Sequence, residues 1–327
     1  MQIALVGDVM LGRLVNEALI ERPPEYPWGN VLPILRSEAD VCLCNMECVI
    51  SDKGEPWSAT PKEFHFRSDA KNVRVLSTAG VNAASLANNH SLDYGYEAAE
   101  DMLEILDNAG IRHSGLGRSL GEAESLASFK IQNKRIGFIA FTDNEPEWEA
   151  TTEHMGIFFV PTRLKDKRAE CLLNLVKHGK EMVDLLIVSA HWGPNWGYDP
   201  PQEHIPFAHA LIEAGADIVF GHSGHVFKGI EVYRHRPILY CAGDFIDDYA
   251  IDPIERNDES FLFLLHCEDD SVDRIKLYPT KIEMFQANLA RQSEMQSIGG
   301  KMRLLCEKLG TELTFNRSHH YYEVEIR

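Results

Sequence analysis

Residues 2–8 read Gln-Ile-Ala-Leu-Val-Gly-Asp and give the first indication of the fold. The apolar run 2–6 predicts a β-strand, which ends at Gly7 and the polar Asp8. Five further short apolar runs predict strands of the same kind, at residues 41–45, 81–86, 136–141, 185–190 and 218–221. Segments of helical period lie between them, so the pattern is typical of an α/β fold with much parallel strand pairing.

The intervening helices are predicted from apolar residues that recur at three- and four-residue steps. The predicted helices span residues 30–38, 70–79, 96–109, 164–178 and 203–214. In the segment 96–109, Met102, Leu103 and Leu106 fall on one face of the helix. Gly110 follows this segment, as expected just past a helix end.

The pattern changes from about residue 226 onward. Runs 229–233, 237–241, 260–266 and 272–279 predict strands joined by short turns, which indicates a mixed or antiparallel section of sheet. A helix is predicted at residues 289–309, and the last dozen residues carry a weak strand signal. We therefore expect a core at residues 1–250, with strands and a helix of residues 251–327 completing the same domain.

Composition excludes several classes of protein. The chain has 327 residues with 32 Lys and Arg against 50 Asp and Glu, a formal net charge of −18. Such a charge disfavours nonspecific binding to nucleic acid, and 44% hydrophobic content excludes intrinsic disorder. No run approaches the roughly 20 apolar residues of a membrane span. We expect no nucleic-acid partner and no membrane span.

The seven cysteines lie mostly inside apolar runs, which favours reduced, buried thiols. The cluster Cys42, Cys44 and Cys48 lacks a second ligand pair at zinc-finger spacing, so alternation along one strand explains it better than zinc binding. No secretory signal is visible at the start of the sequence. Together these features predict a cytoplasmic location.

Polar residues collect directly after five of the predicted strands, where open α/β sheets place their binding crevices. These strand ends read Gly7-Asp8, Asn45-Met46-Glu47, Asn88-Asn89-His90, His191-Trp192-Gly193 and Gly221-His222-Ser223-Gly224-His225. Such mixed nitrogen and oxygen donors suit one or two divalent cations such as Mn, Fe or Zn. Each residue alone has an ordinary structural explanation, but their coincidence at five strand ends predicts a metal site with a position open to water.

These segments together resemble the CapA family of poly-γ-glutamate capsule synthesis proteins, within the calcineurin-like metallophosphoesterase superfamily. The resemblance rests on Gly7-Asp-Val-Met-Leu-Gly-Arg13, Asn45-Met-Glu47, Ala87-Asn-Asn-His-Ser-Leu-Asp-Tyr-Gly95, His191-Trp-Gly193, Gly221-His-Ser-Gly-His-Val226 and Ile238-Leu-Tyr-Cys-Ala-Gly-Asp-Phe245. It covers about residues 1–250 and implies a four-layer α/β/β/α sandwich of the metallophosphoesterase type.

The resemblance also implies a role for each matching residue. The implied metal ligands are Asp8 for the first metal, Glu47 as the bridging carboxylate, Asn89, His191 and His222 for the second metal, and His225 reaching back to the first. His90 would stay off the metals as a general acid or a donor that stabilises the substrate. Asp8 and His225 are further candidates for proton transfer.

The sequence departs from the family pattern at several positions. Met10 stands where phosphoesterases of the superfamily have histidine, and Ser223 and Gly224 replace the middle of Gly-His-His-Pro-His. Asp244 replaces the asparagine of Gly-Asn-Phe and adds a carboxylate. One bound metal therefore remains an alternative to two.

Three functions are compatible with this site. The leading hypothesis is a metal-dependent hydrolase of a phosphoester, amide or γ-glutamyl-type bond, acting on a small-molecule, peptide or polymer substrate through metal-activated water. The second is a metal-dependent peptide epimerase of natural-product maturation, in which two of Asp8, His90 and His225 exchange a Cα proton. The third is a non-catalytic protein that binds a polymer or metabolite.

Overall fold

The computed structural model describes residues 1–326. The helices are α1 (Arg13–Glu21), α2 (Leu32–Glu38), α3 (Val73–Thr78), α4 (Gly95–Asn108), α5 (Leu120–Ala123), α6 (Lys167–Met182), α7 (His204–Ala214) and α8 (Gln292–Lys308). The first ten strands are β1 (Gln2–Val9), β2 (Val41–Met46), β3 (Val49–Ile50), β4 (Arg67–Ser68), β5 (Val81–Ser85), β6 (Arg112–Ser114), β7 (Leu116–Gly117), β8 (Ala127–Ile131), β9 (Lys134–Thr142) and β10 (Gly156–Ile157). The others are β11 (Leu185–His191), β12 (Ile218–His222), β13 (Ile230–Tyr233), β14 (Arg236–Leu239), β15 (Asp244–Ile246), β16 (Glu259–Glu268), β17 (Ser271–Glu283), β18 (Gln286–Leu289), β19 (Thr314–Asn316) and β20 (Tyr321–Glu325). The predicted α/β class is confirmed.

The larger sheet contains ten strands, with β1 near its centre. Its order is β19-β20-β17-β16-β1-β2-β5-β6, while β15 pairs with β1 and β18 with β17. The pairs β1–β2, β2–β5 and β5–β6 are parallel, whereas β1–β16 and β16–β17 are antiparallel. The C-terminal strands therefore extend the sheet that β1 begins.

The second sheet has six strands in the order β13-β14-β12-β11-β9-β8. Strands β9, β11, β12 and β14 run parallel to their neighbours in that series, and β8 and β13 add antiparallel edges. The runs predicted after residue 226 thus divide between two sheets: β13 and β14 join the second, and β16 and β17 join the first.

Alternate side chains of the strands belong to different hydrophobic clusters, as the two-residue period of a strand requires. Ile3 and Leu5 of β1 share a buried cluster with Phe138 of β9 and Ile187 of β11, so residues of the two sheets pack together. Ala4 belongs instead to the cluster that contains residues of α1 to α4. A third cluster joins the second sheet to α6 and α7. The four-layer order implied by the family resemblance stays a prediction.

Several boundaries differ from those predicted. The helix expected from residue 30 begins at Leu32, because Pro33 suits the first turn of a helix and a 3₁₀ turn, Tyr26–Val31, comes before it. The helix predicted at 70–79 is a 3₁₀ turn followed by α3. Helix α1 and strand β8 were not predicted from the sequence. The seven cysteines all lie within residues 1–326, where each is free and Cys171 alone is exposed.

No helix within residues 1–326 is both long enough and apolar enough to cross a membrane.

Candidate metal centre

Strand register brings the predicted ligands to one edge of the two sheets. Asp8 lies opposite Asn45 across the parallel β1–β2 pair, and His191 lies opposite His222 across the β11–β12 pair. Because parallel strands end at the same edge of a sheet, the polar residues that follow them meet there. Asp8, His191 and His222 are each buried at this edge.

Asp8, His191 and His222 form a first group of potential ligands. One ligand atom from each lies within 4.8 Å of the other two. The Nδ1 atoms of the two histidines are 2.9 Å apart, and Nδ1 of His222 lies 3.9 Å from Oδ1 of Asp8. Ser189 Oγ lies 2.7 Å from Nε2 of His222 and fixes the orientation of that ring. Nδ1 of His222 therefore remains as the ring atom that could bind a metal together with Asp8 and His191.

Asp8 also belongs to a second group, with Glu47 and Asp244. One carboxylate oxygen of each lies within 4.8 Å of the other two. Burial raises the pKa of Asp8, and it raises the pKa values of Glu47 and Asp244 well above their usual range, with the charge of Asp8 adding to both. Three carboxylates held this close destabilise one another unless a cation or protons neutralise them.

Asn89 and His90 lie in the turn after β5. Asn89 Oδ1 is 2.9 Å from Nε2 of His191. His90 instead donates a hydrogen bond from Nδ1 to Oδ2 of Asp93 at 2.6 Å, and its Nε2 lies 4.0 Å from Oε1 of Glu47. The structure therefore places Asn89 against the histidine pair, and His90 lies in neither three-residue group.

His225 lies outside both three-residue groups as well. Its Nδ1 donates to Oδ1 of Asp244 at 3.0 Å, and its ring lies between Trp196 and Tyr249, with centroid separations of 5.4 and 5.1 Å. Burial lowers the pKa of His225, so its second ring nitrogen is an available electron-pair donor.

A cavity of about 510 Å³ adjoins these groups at Glu47. Glu47, Asn89, His90, Ser223 and His225 line it. Its rim carries aromatic side chains, including Phe64 and Trp196, and the cations Arg13 and Lys62. Such a volume accommodates a small molecule or a short piece of a chain.

The residues that orient the candidate ligands were not predicted from the sequence. Asn45 donates from Nδ2 to Oδ1 of Asp8 at 2.8 Å, and its own Oδ1 accepts from Nδ2 of Asn88 at 3.1 Å. Asn88 Oδ1 in turn accepts from the backbone N–H of His90 at 2.9 Å. Asp93 could have been noticed from its place three residues after His90, but Ser189 carries no comparable signal in the sequence.

The residues present fit a bound divalent metal. Oε2 of Glu47 and Oδ2 of Asp244 are buried and have no hydrogen-bond partner among residues 1–326. Burial lowers the pKa of His222 to about 3. Burial, together with electrostatic repulsion from a protonated His222, also puts the pKa of His191 well below its usual range. Neutral imidazoles beside unpaired carboxylate oxygens are the donor set that a transition-metal cation requires.

A likeness to solved structures supports the fold. A hypothetical protein from Thermus thermophilus superposes with a TM-score of 0.52 over 86% of this chain and 100% of that chain, at 15% sequence identity.

Sequence comparisons identify the family. The chain is 32% identical to a probable polyglutamine synthesis accessory protein of Mycobacterium tuberculosis, over 94% of this chain and 92% of that protein. It is 28% identical to the PGA biosynthesis protein CapA of Bacillus subtilis, over 85% of this chain and 71% of that protein. The family model described as bacterial capsule synthesis protein PGA_cap matches residues 2–249. The chain therefore belongs to the PGA_cap family of bacterial capsule synthesis proteins, the CapA family.

Proposed function

We propose that this protein is a metal-dependent hydrolase of a phosphoester, amide or γ-glutamyl-type bond. One observation carries the proposal: two overlapping groups of buried ligand atoms share Asp8 and adjoin, through Glu47, a cavity that His90 also lines. Binding alone does not require this combination, whereas metal-dependent hydrolysis uses a cation and a proton donor in one place.

Asp8, Glu47, Asn89, His191 and His222 would hold the metal. When bound there, a divalent cation supplies Lewis acidity and lowers the pKa of coordinated water toward about 7. The chain's own contribution is orientation. The amide of Asn45 holds one oxygen of Asp8, and the backbone N–H of Ser223 donates to the other at 3.4 Å.

His90 is the proposed proton donor to the leaving group. Its Nδ1 is held by Asp93, so Nε2 is the atom free to transfer a proton. Phe66 stacks on the ring at a centroid separation of 4.1 Å and fixes its plane. Burial lowers the pKa of His90, while the neighbouring Asp93 charge opposes that effect. With Nδ1–H bound to this carboxylate, the ring can take up a proton at Nε2 and pass it to a leaving group.

The cavity rim indicates how a substrate would be held. The guanidinium of Arg13 lies 5.2 Å from the centroid of Phe66 and 5.7 Å from that of Tyr249, and it forms an ion pair with Asp248. Lys62 reaches the carbonyl oxygen of Asn89 at 2.6 Å. The names of two relatives, a PGA biosynthesis protein and a probable polyglutamine synthesis accessory protein, make a glutamyl polymer the first substrate to test.

The test is a hydrolysis screen of the Mn²⁺-reconstituted protein against phosphomonoesters, phosphodiesters, peptides and γ-glutamyl oligomers. Asp8→Ala and His191→Ala are expected to lose bound metal by elemental analysis, and to lose the activity with it. Arg163→Ala, a substitution of an exposed residue outside the cavity lining, serves as the matched control. Variants that keep full metal content and full activity would refute the proposal.

The two alternative functions give different results in the same experiment. An epimerase would incorporate solvent deuterium at the Cα of a peptide without cleaving it, and His90 and His225 do line one cavity. A non-catalytic binding protein would retain a ligand without turnover and would fold without metal.

A further inference from the structure

Asp244 is a buried carboxylate that belongs to the second ligand group but has no assigned role among the residues proposed to hold the metal. It is the first residue of β15 and lies opposite Asp8 in the parallel β1–β15 pair. Its side chain is 0% exposed. This register places the Asp244 carboxylate beside that of Asp8, within reach of a cation that Asp8 would bind.

The two oxygens of Asp244 have different surroundings. Oδ1 accepts the hydrogen bond from Nδ1 of His225, whereas Oδ2 has no hydrogen-bond partner in the part of the chain described. Oε2 of Glu47 is likewise buried and unpaired. An unpaired carboxylate oxygen inside a protein is costly, and a second one nearby raises the cost, unless a cation or a proton lies between them.

Met10 offers no donor that could replace this carboxylate. Its side chain is fully buried in the hydrophobic cluster beside the helices, and its Sδ accepts a hydrogen bond from the backbone N–H of Gly12 at 3.0 Å. The ligand group formed by Asp8, Glu47 and Asp244 therefore consists of oxygen donors.

We infer that Asp244 is a ligand of a divalent cation held together with Asp8 and Glu47, in an all-carboxylate subsite distinct from the His191–His222 subsite. The inference rests on the metal centre of the proposed function and adds a ligand to it. Its Oδ2 would bind the cation, and its Oδ1 would keep His225 in place.

The two subsites differ in the cations that suit them. Carboxylate oxygens suit Mg²⁺ and Mn²⁺, whereas imidazole nitrogen suits Zn²⁺ and Fe²⁺. Selectivity for Zn²⁺ over Mn²⁺ is therefore expected to be weaker at the Asp8–Glu47–Asp244 subsite than at the histidine subsite. When the protein loaded with two Mn²⁺ receives two equivalents of Zn²⁺, enough to replace both ions, it should release one Mn²⁺ and retain the other.

The experiment uses full-length protein stripped with EDTA and titrated with Mn²⁺. Bound metal is counted by elemental analysis, and bound Mn²⁺ is followed by electron paramagnetic resonance. Asp244→Asn removes the charge but keeps the shape and the acceptor for His225. We expect wild type to bind two equivalents, and Asp244→Asn to bind one, with affinity for the other reduced at least about tenfold. The variant should also lose the Mn²⁺ that wild type retains after addition of Zn²⁺.

Asp247→Asn is the control for negative charge, because Asp247 is a buried aspartate whose side chain interacts with Asp244 but lies in neither ligand group. It should retain both equivalents. Equal loss of metal in the two variants would overturn the inference, since negative charge alone would then explain the effect. An unchanged second equivalent in Asp244→Asn would overturn it as well. If Asp244→Asn does not fold, the Zn²⁺ experiment on the wild-type protein still tests the inference. Equal replacement of both Mn²⁺ ions by Zn²⁺ would show that the two metals do not occupy different subsites.

The experiments distinguish failure of the proposed hydrolase activity from failure of the inference about Asp244. A protein that binds two Mn²⁺ and loses one in Asp244→Asn, but hydrolyses nothing in the screen, supports the role of Asp244 and refutes the hydrolase. An active hydrolase whose Asp244→Asn variant keeps both metals supports the hydrolase and refutes the role of Asp244.

Discussion

Gly7 lies against the carbonyl oxygen of Gly243, so closely that a Cβ atom at Gly7 would fall 1.8 Å from that oxygen. The same oxygen accepts the backbone N–H of Asp8 at 3.0 Å. Gly243 itself has a φ of +78°, which favours glycine. This contact brings β1 and β15 together at the point where Asp8 and Asp244 begin to face each other.

Gly7→Ala is therefore expected to push the two strands apart. The overlap is with backbone, which cannot move aside as a side chain can, so we expect a loss of about 3 kcal/mol or more in the free energy of unfolding. We also expect a loss of bound metal, because the candidate ligand Asp8 is the residue that follows Gly7 and would be displaced with it. Gly121→Ala is the control, since a Cβ there meets nothing within 4 Å. Urea denaturation and elemental analysis of both variants measure the two effects, and equal stability of the two would contradict this account.

Asp93 is expected to act through His90. Asp93→Asn keeps an acceptor for the His90 Nδ1–H but removes the negative charge beside the ring, so the protonated form of His90 loses stabilisation. For a hydrolase substrate found in the screen, we expect kcat to fall about 10- to 100-fold, and His90→Gln to cost about 100-fold or more. The metal content of both variants should stay at the wild-type value.

The pH dependence of kcat separates a positioning role of Asp93 from a structural one. Asp93→Asn should shift the limb of the profile that reports His90, whereas a variant that is merely unstable would lower the whole profile. Asp101→Asn, on α4 and paired with Lys53, is the control and should leave the profile unchanged. An unshifted profile in Asp93→Asn would rule out the positioning role.

Much of the fold could be predicted from the sequence because buried parallel strands are continuous apolar runs. The predicted ends of the strands that lead to Asp8 and His191 differ from the observed ends by at most three residues. The polar residues that follow the predicted strands gave the candidate ligands. The partners that orient those ligands could not be predicted, because Ser189 and Asn45 meet them through pairing between strands distant in sequence. The α1 helix was missed because it follows the motif around Asp8 without a side-chain cap.

Aromatic side chains at the cavity rim should affect substrate binding more than chemistry. Phe64 is 52% exposed and Trp196 44% exposed, so truncation of either leaves no buried gap. We expect Phe64→Ala and Trp196→Ala to raise KM about three- to tenfold, up to about 1.4 kcal/mol, with little change in kcat. Ile20→Ala, an exposed apolar residue on α1, is the control. An unchanged KM in both rim variants would show that the substrate lies elsewhere.

The C-terminal segment is predicted to be required for folding of the preceding residues. β16 pairs with β1 along residues Gln2 to Leu5, and Phe261 and Phe263 fill the cluster shared by the two sheets. A chain ending at residue 250 should therefore aggregate or lose cooperative unfolding. A truncated chain with a sharp thermal transition and wild-type metal content would instead make residues 1–250 an independent domain.

His204 is expected to make the stability of the protein depend on pH. Its ring is buried, stacks on Trp192 at a centroid separation of 4.5 Å, and lies 3.8 Å from Asp143 through Nε2. Burial, with a smaller effect from the positive charge of Lys228, lowers its pKa from 6.5 to about 4. As pH falls below 6.5, the unfolded chain takes up a proton at this residue before the folded chain does. Stability is therefore lost between about pH 6.5 and pH 4, by up to about 3 kcal/mol, and this effect is absent above pH 7.5.

His204→Phe isolates this contribution, because phenylalanine can keep the stacking on Trp192 but takes up no proton. Both proteins should be stripped of metal, so that titration of the candidate ligands is common to the two. Urea denaturation at pH 7.5 and pH 5.0 then gives two differences in the free energy of unfolding. Between pH 7.5 and pH 5.0 we expect the variant to lose roughly 2 kcal/mol less free energy of unfolding than the wild type does. The reason is that pH 5.0 lies about 1.5 units below the pKa of the unfolded histidine and still above the pKa of about 4 in the folded chain. Equal losses in the two proteins would mean that His204 is already protonated, or exposed, in the folded chain.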